Sequence, residues 1–401
     1  MTSPVPWSSP QRASYDVIII GGAAVGSACA WFLSSTDDFN GSVLVIERDP
    51  AYTCASTTLS LSGVRHQFSD ALNVQISMFA SEFITDFSEW LGDDAPDLNL
   101  HQHGYLIMAQ PQHEHIMRRS HSVQQQCGAH TRLLSPQEAK SQFPFINTDG
   151  LSLFSWNPRG EGWFDGIAMM QTMKSKARQN GVEYLHNEAI GISRRGNQVT
   201  AVKLVSGENI SCGQLINAAG PRAAKIAGFA GLSIPVEARK RSVFVFSCHT
   251  PIEHKMPMIN DPSGVYCRPE GANFITGISP TPDPAVAYDD FAVRHHEFEE
   301  VLWPALAHRI PQFEAIKEIN SWAGHYAYNV FDQNAVIGRH PEVTNFLFAN
   351  GFSGHGLQQS PAVGRGISEL ISYDEYRSLD LAPLSFDRII KNQPLIENAI
   401  I

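Results

Sequence analysis

Tyr15-Asp16-Val17-Ile18-Ile19-Ile20-Gly21-Gly22-Ala23-Ala24-Val25-Gly26 decides the fold. The apolar run Val17–Ile20 predicts a buried strand, and a glycine turn follows it at once. Ser27 to Ser34 is small and apolar, as in a helix packed tightly on a sheet. Val43-Leu44-Val45-Ile46 predicts a second strand, with Glu47 at its end. Together these make a βαβ unit with a dinucleotide fingerprint. Gly21 allows the tight turn, and Gly26 lets the helix lie close to the sheet. The free N–H groups at the helix start suit a pyrophosphate. Glu47, 26 residues after Gly21, is placed to accept hydrogen bonds from ribose hydroxyls. Ala23 stands where the pattern has its middle glycine, and its methyl group narrows the approach to the pyrophosphate. A glycine-rich turn of some other α/β protein is the competing reading. The strand before, the helix after and the acid at the second strand end weigh against it.

Working outward, Leu72, Ile76, Phe79, Phe83, Phe87, Trp90 and Leu91 recur at helical spacing and predict a helix over 71–91. A strand is expected at 104–109, helix over 112–141 and helix over 163–181, the last entered through Gly160, Gly162 and Asp165. A hairpin is expected around Ser206–Asn209 and a strand at 214–217 that ends in Ala218-Ala219-Gly220-Pro221. Antiparallel strands are expected at 241–248 and 264–277, a helix over 291–308, and strands at 321–327 and 335–338. Asn345–Asn350 reads as a buried strand, and Gly351-Phe352-Ser353-Gly354-His355-Gly356 opens a helix to Ile371. Parallel-sheet elements thus lie at both ends and in the middle, with antiparallel elements between them. That order predicts two interleaved α/β domains. The Rossmann-type one takes 14–98, 150–230 and 328–401. A mixed or antiparallel-sheet substrate domain takes 99–149 and 231–327. Residues 1–13 read as a loose tail.

Composition limits the function. The chain has 401 residues, 43% of them hydrophobic, enough for two cores. Its 40 acidic residues outnumber 29 Lys and Arg, a net charge of −11, so nucleic acid and anionic membrane surfaces are poor partners. No apolar run approaches the ~18 residues of a membrane span. Six scattered cysteines without C-x-x-C spacing read as free thiols of a cytoplasmic protein. The sixteen histidines form no H-E-x-x-H, and no metal site is expected.

Three blocks, Ile20–Gly26, Ile216-Asn217-Ala218-Ala219-Gly220-Pro221 and Gly351–Gly356, occur in the order of the D-amino acid oxidase, glycine oxidase and sarcosine oxidase superfamily. The chain resembles that family over essentially its whole length. Trp322 to Pro361 resembles one subgroup more closely, which contains a mitochondrial FAD-domain protein associated with respiratory complex I assembly. The resemblance implies a glutathione-reductase-like FAD fold and FAD held without a covalent bond. It assigns Gly21, Ala23, Ala24, Gly26, Glu47 and Arg48 to the ADP part of the cofactor, and Ile190 to backbone bonds with adenine. Ala55, Ser56, Thr57, Leu61, Ser62 and Gly63 would wrap the pyrophosphate and flavin edge. Ala219 and Gly220 would pass close by. Gly351, Gly354, His355, Gly356, Leu357 and Gln358 would face the flavin, where free N–H groups stabilise negative charge that develops on reduction.

Val64-Arg65-His66-Gln67-Phe68 resembles the sarcosine oxidase segment whose arginine binds a substrate carboxylate. Arg65 is therefore the expected anchor, since its planar fork suits a carboxylate. His66, Tyr266, His325 and Gln358 are further substrate-binding candidates, and His355 is the catalytic candidate. Gln358 falls where that family has a carboxylate-binding lysine. His325 falls near the cysteine that some members link to flavin, which excludes a thioether there. Ile275 falls where a lysine is associated with oxygen activation, which implies slow reaction with O₂ and a dehydrogenase. The resemblance thus implies oxidation of the C–N bond of an N-substituted amino acid. The electron acceptor would be O₂, or a membrane or protein partner. Oxidation of a 2-hydroxy acid, an assembly role and an FAD subunit working with partner subunits are the alternatives.

Overall fold

The computed structural model describes residues 6–398. Strand Ser14–Ile20 lies at the centre of an eight-stranded sheet, paired in parallel with Val43–Glu47 on one side and Asn209–Asn217 on the other. Glu183–His186 and Phe346–Asn350 extend the parallel region, and Val336–Arg339 closes one edge antiparallel. The strands Ala189–Arg195 and Gln198–Leu204 form an antiparallel flap that continues into Asn209–Asn217.

Helix Ala24–Ser34 is buried along nearly its whole length. It packs between helices Gly166–Gln179 and Gly356–Tyr373 on one face of the sheet, with helix Ala71–Thr85 beside the latter. Small residues make that approach possible. A Cβ on Gly364 would come within 2.6–2.8 Å of Ala28, and one on Gly26 within 1.8 Å of the Gly21 carbonyl oxygen. The flap and helix Ala223–Phe229 cover the opposite face with a second apolar core. Helices on both faces of a mainly parallel sheet make the doubly wound arrangement that the βαβ reading requires.

The second eight-stranded sheet is mixed. The long ribbon Val236–Cys248 and Ile316–Asn329 is followed by Asn273–Gly277, Tyr266–Glu270, Met258–Asn260, Tyr105–Ala109, Leu153–Trp156 and Arg132–Leu134. Leu153–Trp156 therefore belongs with the substrate domain, not with the nucleotide domain as its position in 150–230 suggested. The ribbon reaches back to the first sheet. Ser353 N–H donates to Ala327 O at 2.9 Å, and Asn329 N–H to Ser353 Oγ at 3.0 Å. The site lies at this junction.

Other expectations are corrected in detail. The stretch 112–141 is not one helical region, because Arg132–Leu134 pairs with Leu153–Trp156 and divides it. The expected helix over 291–308 starts only at Phe298. Before it, Asp290 and Arg294 are tied to the long ribbon: Asp290 to Lys240 at 2.7 Å, and Arg294 N–H to Ser242 Oγ at 3.0 Å. The tail is also not loose from residue 7 onward. Trp7 rests on His186 with ring centres 4.8 Å apart, and Ser8 N–H donates to His186 O at 2.9 Å. Its first five residues lie outside the described ones.

Candidate functional site

One cavity of about 760 Å³ runs along the junction of the two sheets. At one end stands the strand-to-helix turn 20–24. Gly21 has φ +100°, and a Cβ there would meet Ala218 O at 2.4 Å, so glycine is required. Ala23 has φ −74° and ψ −159°, an extended geometry open to any residue, so the alanine introduces no backbone strain. The helix start lines the cavity, and Thr57 Oγ1 already caps Ala24 N–H at 3.3 Å.

Glu47 lines the wall beside it. Its carboxylate accepts from Gly22 N–H and Asp49 N–H, each at 2.8 Å. Burial pushes its pKa up while these two donors pull it down. The loop 55–61 is pinned from the second sheet. Ser56 Oγ donates to His325 O at 2.6 Å, and Trp322 Nε1 to Leu59 O at 3.1 Å.

At the other end, helix Gly356–Tyr373 starts after three left-handed residues, Gly351 (φ +74°), Ser353 (φ +49°) and Gly354 (φ +102°). A Cβ on Gly354 would lie 2.5 Å from the Tyr326 ring. Arg65, His355 and Gln358 meet here on the cavity wall. Arg65 is 3% exposed. One guanidinium nitrogen donates to Gln67 O, and the other lies 3.0 Å from His355 Nε2. A guanidinium only donates, so His355 Nε2 accepts and carries no proton. Burial and the Arg65 charge push the His355 pKa down to about 3. Gln358 Oε1 accepts the Arg65 backbone N–H at 2.9 Å, and the Phe68 ring lies 3.9 Å beneath the guanidinium. Tyr105, Met258, Asn260, Tyr266, Arg241 and Tyr326 of the second sheet form the facing wall.

The family model described as FAD dependent oxidoreductase, DAO, matches residues 16–370. The chain belongs to the DAO family of FAD-dependent oxidoreductases. It is 39% identical to the FAD-dependent oxidoreductase domain-containing protein 1 of Xenopus laevis, over 98% of this chain and 85% of that protein. It is 24% identical to the sarcosine oxidase subunit beta of Rhodobacter capsulatus, over 91% and 87%. The structure of L-proline dehydrogenase from P. horikoshii superposes with a TM-score of 0.84 at 28% identity, over 95% of this chain and 99% of that one.

The cofactor of the DAO family is FAD, and the cavity fits it on its own chemistry. A helix start, an acid at the ribose position and a glycine-lined channel lie in the order that an adenine dinucleotide requires. Tyr52, which lines the same end, keeps a buried hydroxyl without a partner among the described residues.

Most of the residues named from the sequence come together on this cavity. Gly21, Ala23, Ala24, Glu47, Arg48, Ala55, Ser56, Thr57, Leu61, Gly63, Ala219 and Gly220 line its nucleotide side. Arg65, Tyr266, His325, Gly354, His355, Gly356, Leu357 and Gln358 line the remainder. Five do not. Gly26 and Gly351 shape the turns from behind, and Ser62 (φ +53°) gives its carbonyl to Phe164 N–H at 3.1 Å. Ile190 is 38% exposed, and the wall expected there is made by Asn187, Glu188 and Ala189. His66 follows Arg65 just beyond the two-residue strand Gly63–Val64, and it lies off the cavity, on the reverse side of the segment.

There His66 Nε2 pairs with Ser81 Oγ at 2.8 Å and Nδ1 with Asn157 Nδ2 at 3.3 Å. Burial pushes the His66 pKa down to about 4. Ile275 is buried in its strand and Trp322 holds the 55–61 loop; neither lines the cavity. His325 is stacked on Phe291 with ring centres 4.2 Å apart, its Nε2 2.7 Å from Asp290 O.

Sequence reasoning missed Arg241, Asn260, Tyr105, Tyr326 and Glu161. Arg241 is bidentate with Asp283, both contacts at 2.8 Å. Glu161, 0% exposed, lies behind Arg65. Burial lifts its pKa to about 7, against the pull of the Gln67, His66 and Asn157 donors and of the Arg65 charge. Its only signal in the sequence is the glycine on either side.

Proposed function

We propose that this DAO-family oxidoreductase oxidises the C–N bond of an amino acid whose nitrogen carries a substituent. The observation that supports it is Arg65, a buried guanidinium on the cavity wall beside the start of helix Gly356–Tyr373. Arg65 anchors the substrate carboxylate, and Gln358 and Gln67 hold the backbone and side chain that aim it. FAD, when bound without a covalent link, supplies the acceptor for the substrate α-hydride. Loss of that hydride from the neutral amine leaves an iminium ion, which water hydrolyses to a carbonyl compound and an amine with release of a proton.

His355 is a positioning contact in this reading rather than a proton acceptor, because its Nε2 lone pair already faces Arg65. The substrate nitrogen therefore arrives neutral. This favours an amine over a 2-hydroxy acid, whose hydroxyl needs a base. A kcat/KM that rises with pH until the free amine has lost its proton follows from the absence of that base. The acceptor is O₂ or a protein partner. The free thiols fit a cytoplasmic location, which cell fractionation checks.

The test is an anaerobic visible spectrum of the purified holoprotein, titrated with N-methyl, N-carboxyalkyl and D-amino acids and with 2-hydroxy acids. Bleaching of the flavin band near about 450 nm by an N-substituted amino acid is the expected result. Bleaching by hydroxy acids alone replaces this reading with the second one. Recovery of colour on admitting air separates oxidase from dehydrogenase.

A further inference from the structure

Glu161 does not itself line the cavity, yet its contacts converge on the residues that form it. Oε1 accepts His66 N–H at 2.7 Å and Asn157 Nδ2 at 3.1 Å. Oε2 accepts Gln67 Nε2 at 2.8 Å and Tyr105 N–H at 3.3 Å. His66 and Gln67 follow Arg65 directly, and the Gln67 carbonyl is the oxygen to which the Arg65 guanidinium donates. Tyr105 lines the cavity on the facing sheet. One carboxylate thus joins the segment that carries Arg65 to the strand opposite it.

The backbone around Glu161 is built to hold it there. Gly160 (φ +70°) and Gly162 (φ +148°) flank it, and a Cβ on Gly162 would lie 1.9 Å from His101 O. Gly162–Trp163 pairs antiparallel with Gly63–Val64, which fixes Glu161 in register against 65–67. Four donors converge on two oxygens. An ionised carboxylate offers acceptors to all of them, whereas an amide would turn an NH₂ toward two. A buried charge survives only when such bonds compensate it, so the placement is expensive unless it serves the neighbouring residues.

We propose that Glu161 is the positioning residue that orients Arg65 for the substrate carboxylate. This rests on the reading of Arg65 given above. Glu161 pulls Gln67 into place, and the Gln67 carbonyl then sets the plane of the Arg65 guanidinium. A structural role alone would lower stability and every activity together. A positioning role weakens carboxylate recognition selectively.

The test uses the FAD-loaded full chain at pH 8, where Glu161 is ionised. Benzoate, a carboxylate with no oxidisable amine, is titrated by its shift of the flavin band, and N-methylglycine reduction supplies KM and kcat. Glu161→Gln and, separately, Gln67→Ala are expected to raise the benzoate Kd and the N-methylglycine KM about tenfold, with kcat changed less than threefold. Glu161→Asp is expected to recover part of that loss. Arg65→Ala is the reference. If Arg65→Ala weakens benzoate while Glu161→Gln and Gln67→Ala do not, the positioning role is overturned and the carboxylate anchor stands. Equal loss of kcat and KM for both variants overturns it as well. If Arg65→Ala leaves benzoate binding unchanged, or neither probe acts on the wild type, the anchor itself falls and the inference falls with it. Should Glu161→Gln not retain FAD, Gln67→Ala decides.

Discussion

Two strand-to-helix turns face the same cavity, one after strand Ser14–Ile20 and one after Phe346–Asn350. The first uses a single left-handed residue, Gly21, and then small side chains. It offers backbone N–H groups and little else, which suits a phosphate that needs close approach and no side-chain chemistry. The second uses three left-handed residues within four positions and then presents His355 and Gln358 toward Arg65. It combines a backbone donor site with a side-chain cluster. The first turn is therefore legible as a motif, whereas the second acquires its meaning from a residue almost 300 positions away. On the proposed function, holding the cofactor's phosphates is local work, whereas the substrate anchor draws on residues far apart in the chain.

Substitutions that separate the two turns sharpen the comparison. The largest effect is expected for Gly26→Ala, whose Cβ would press on the Gly21 carbonyl at 1.8 Å. Because the carbonyl is backbone and a Cβ cannot rotate away from it, the helix must shift, at about 3 kcal/mol, and the chain should purify without its flavin band. Thermal melting and the 450-to-280 nm absorbance ratio check this. Unchanged flavin content would mean that the first turn tolerates displacement.

Gly354→Ala is expected to cost about 1–2 kcal/mol through its φ of +102° and its contact with the Tyr326 ring. Here the damage should fall on substrate, as a higher KM, with FAD affinity nearly preserved. Loss of FAD instead would show that the second turn is as much a cofactor site as the first. The smallest effect is expected for Ala23→Gly. Its ordinary φ of −74° means that restoring the missing glycine of the motif relieves no strain, and FAD affinity should change less than about threefold. A larger gain in affinity would identify the Ala23 methyl group as a steric limit on the pyrophosphate.

Much of the nucleotide half was readable because its signals are local. Gly21, Gly26 and Glu47 each answer a steric or hydrogen-bonding demand made by residues within one βαβ unit. Strand types in the second sheet were readable too, but their partners were not. Leu153–Trp156 looks the same in either sheet, and only its pairing with Tyr105–Ala109 assigns it. The helix expected over 291–308 started late for a similar reason: an ion pair and a hydrogen bond to the long ribbon tie 290–294 down outside the helix.

The sequence by itself determined that this chain builds a dinucleotide site, because a glycine turn, a helix start and an acid act through backbone geometry that neighbours in sequence dictate; that the dinucleotide is FAD came from the resemblance of three ordered blocks to a known family. Tertiary structure alone decided which of two adjacent residues, Arg65 and His66, faces the cavity. It alone set His355 as a neutral acceptor for Arg65 and placed Glu161 behind the segment that carries Arg65. Those outcomes depend on which surfaces two sheets and a helix bring together, and burial and charge at such a junction are set by partners far away in the chain.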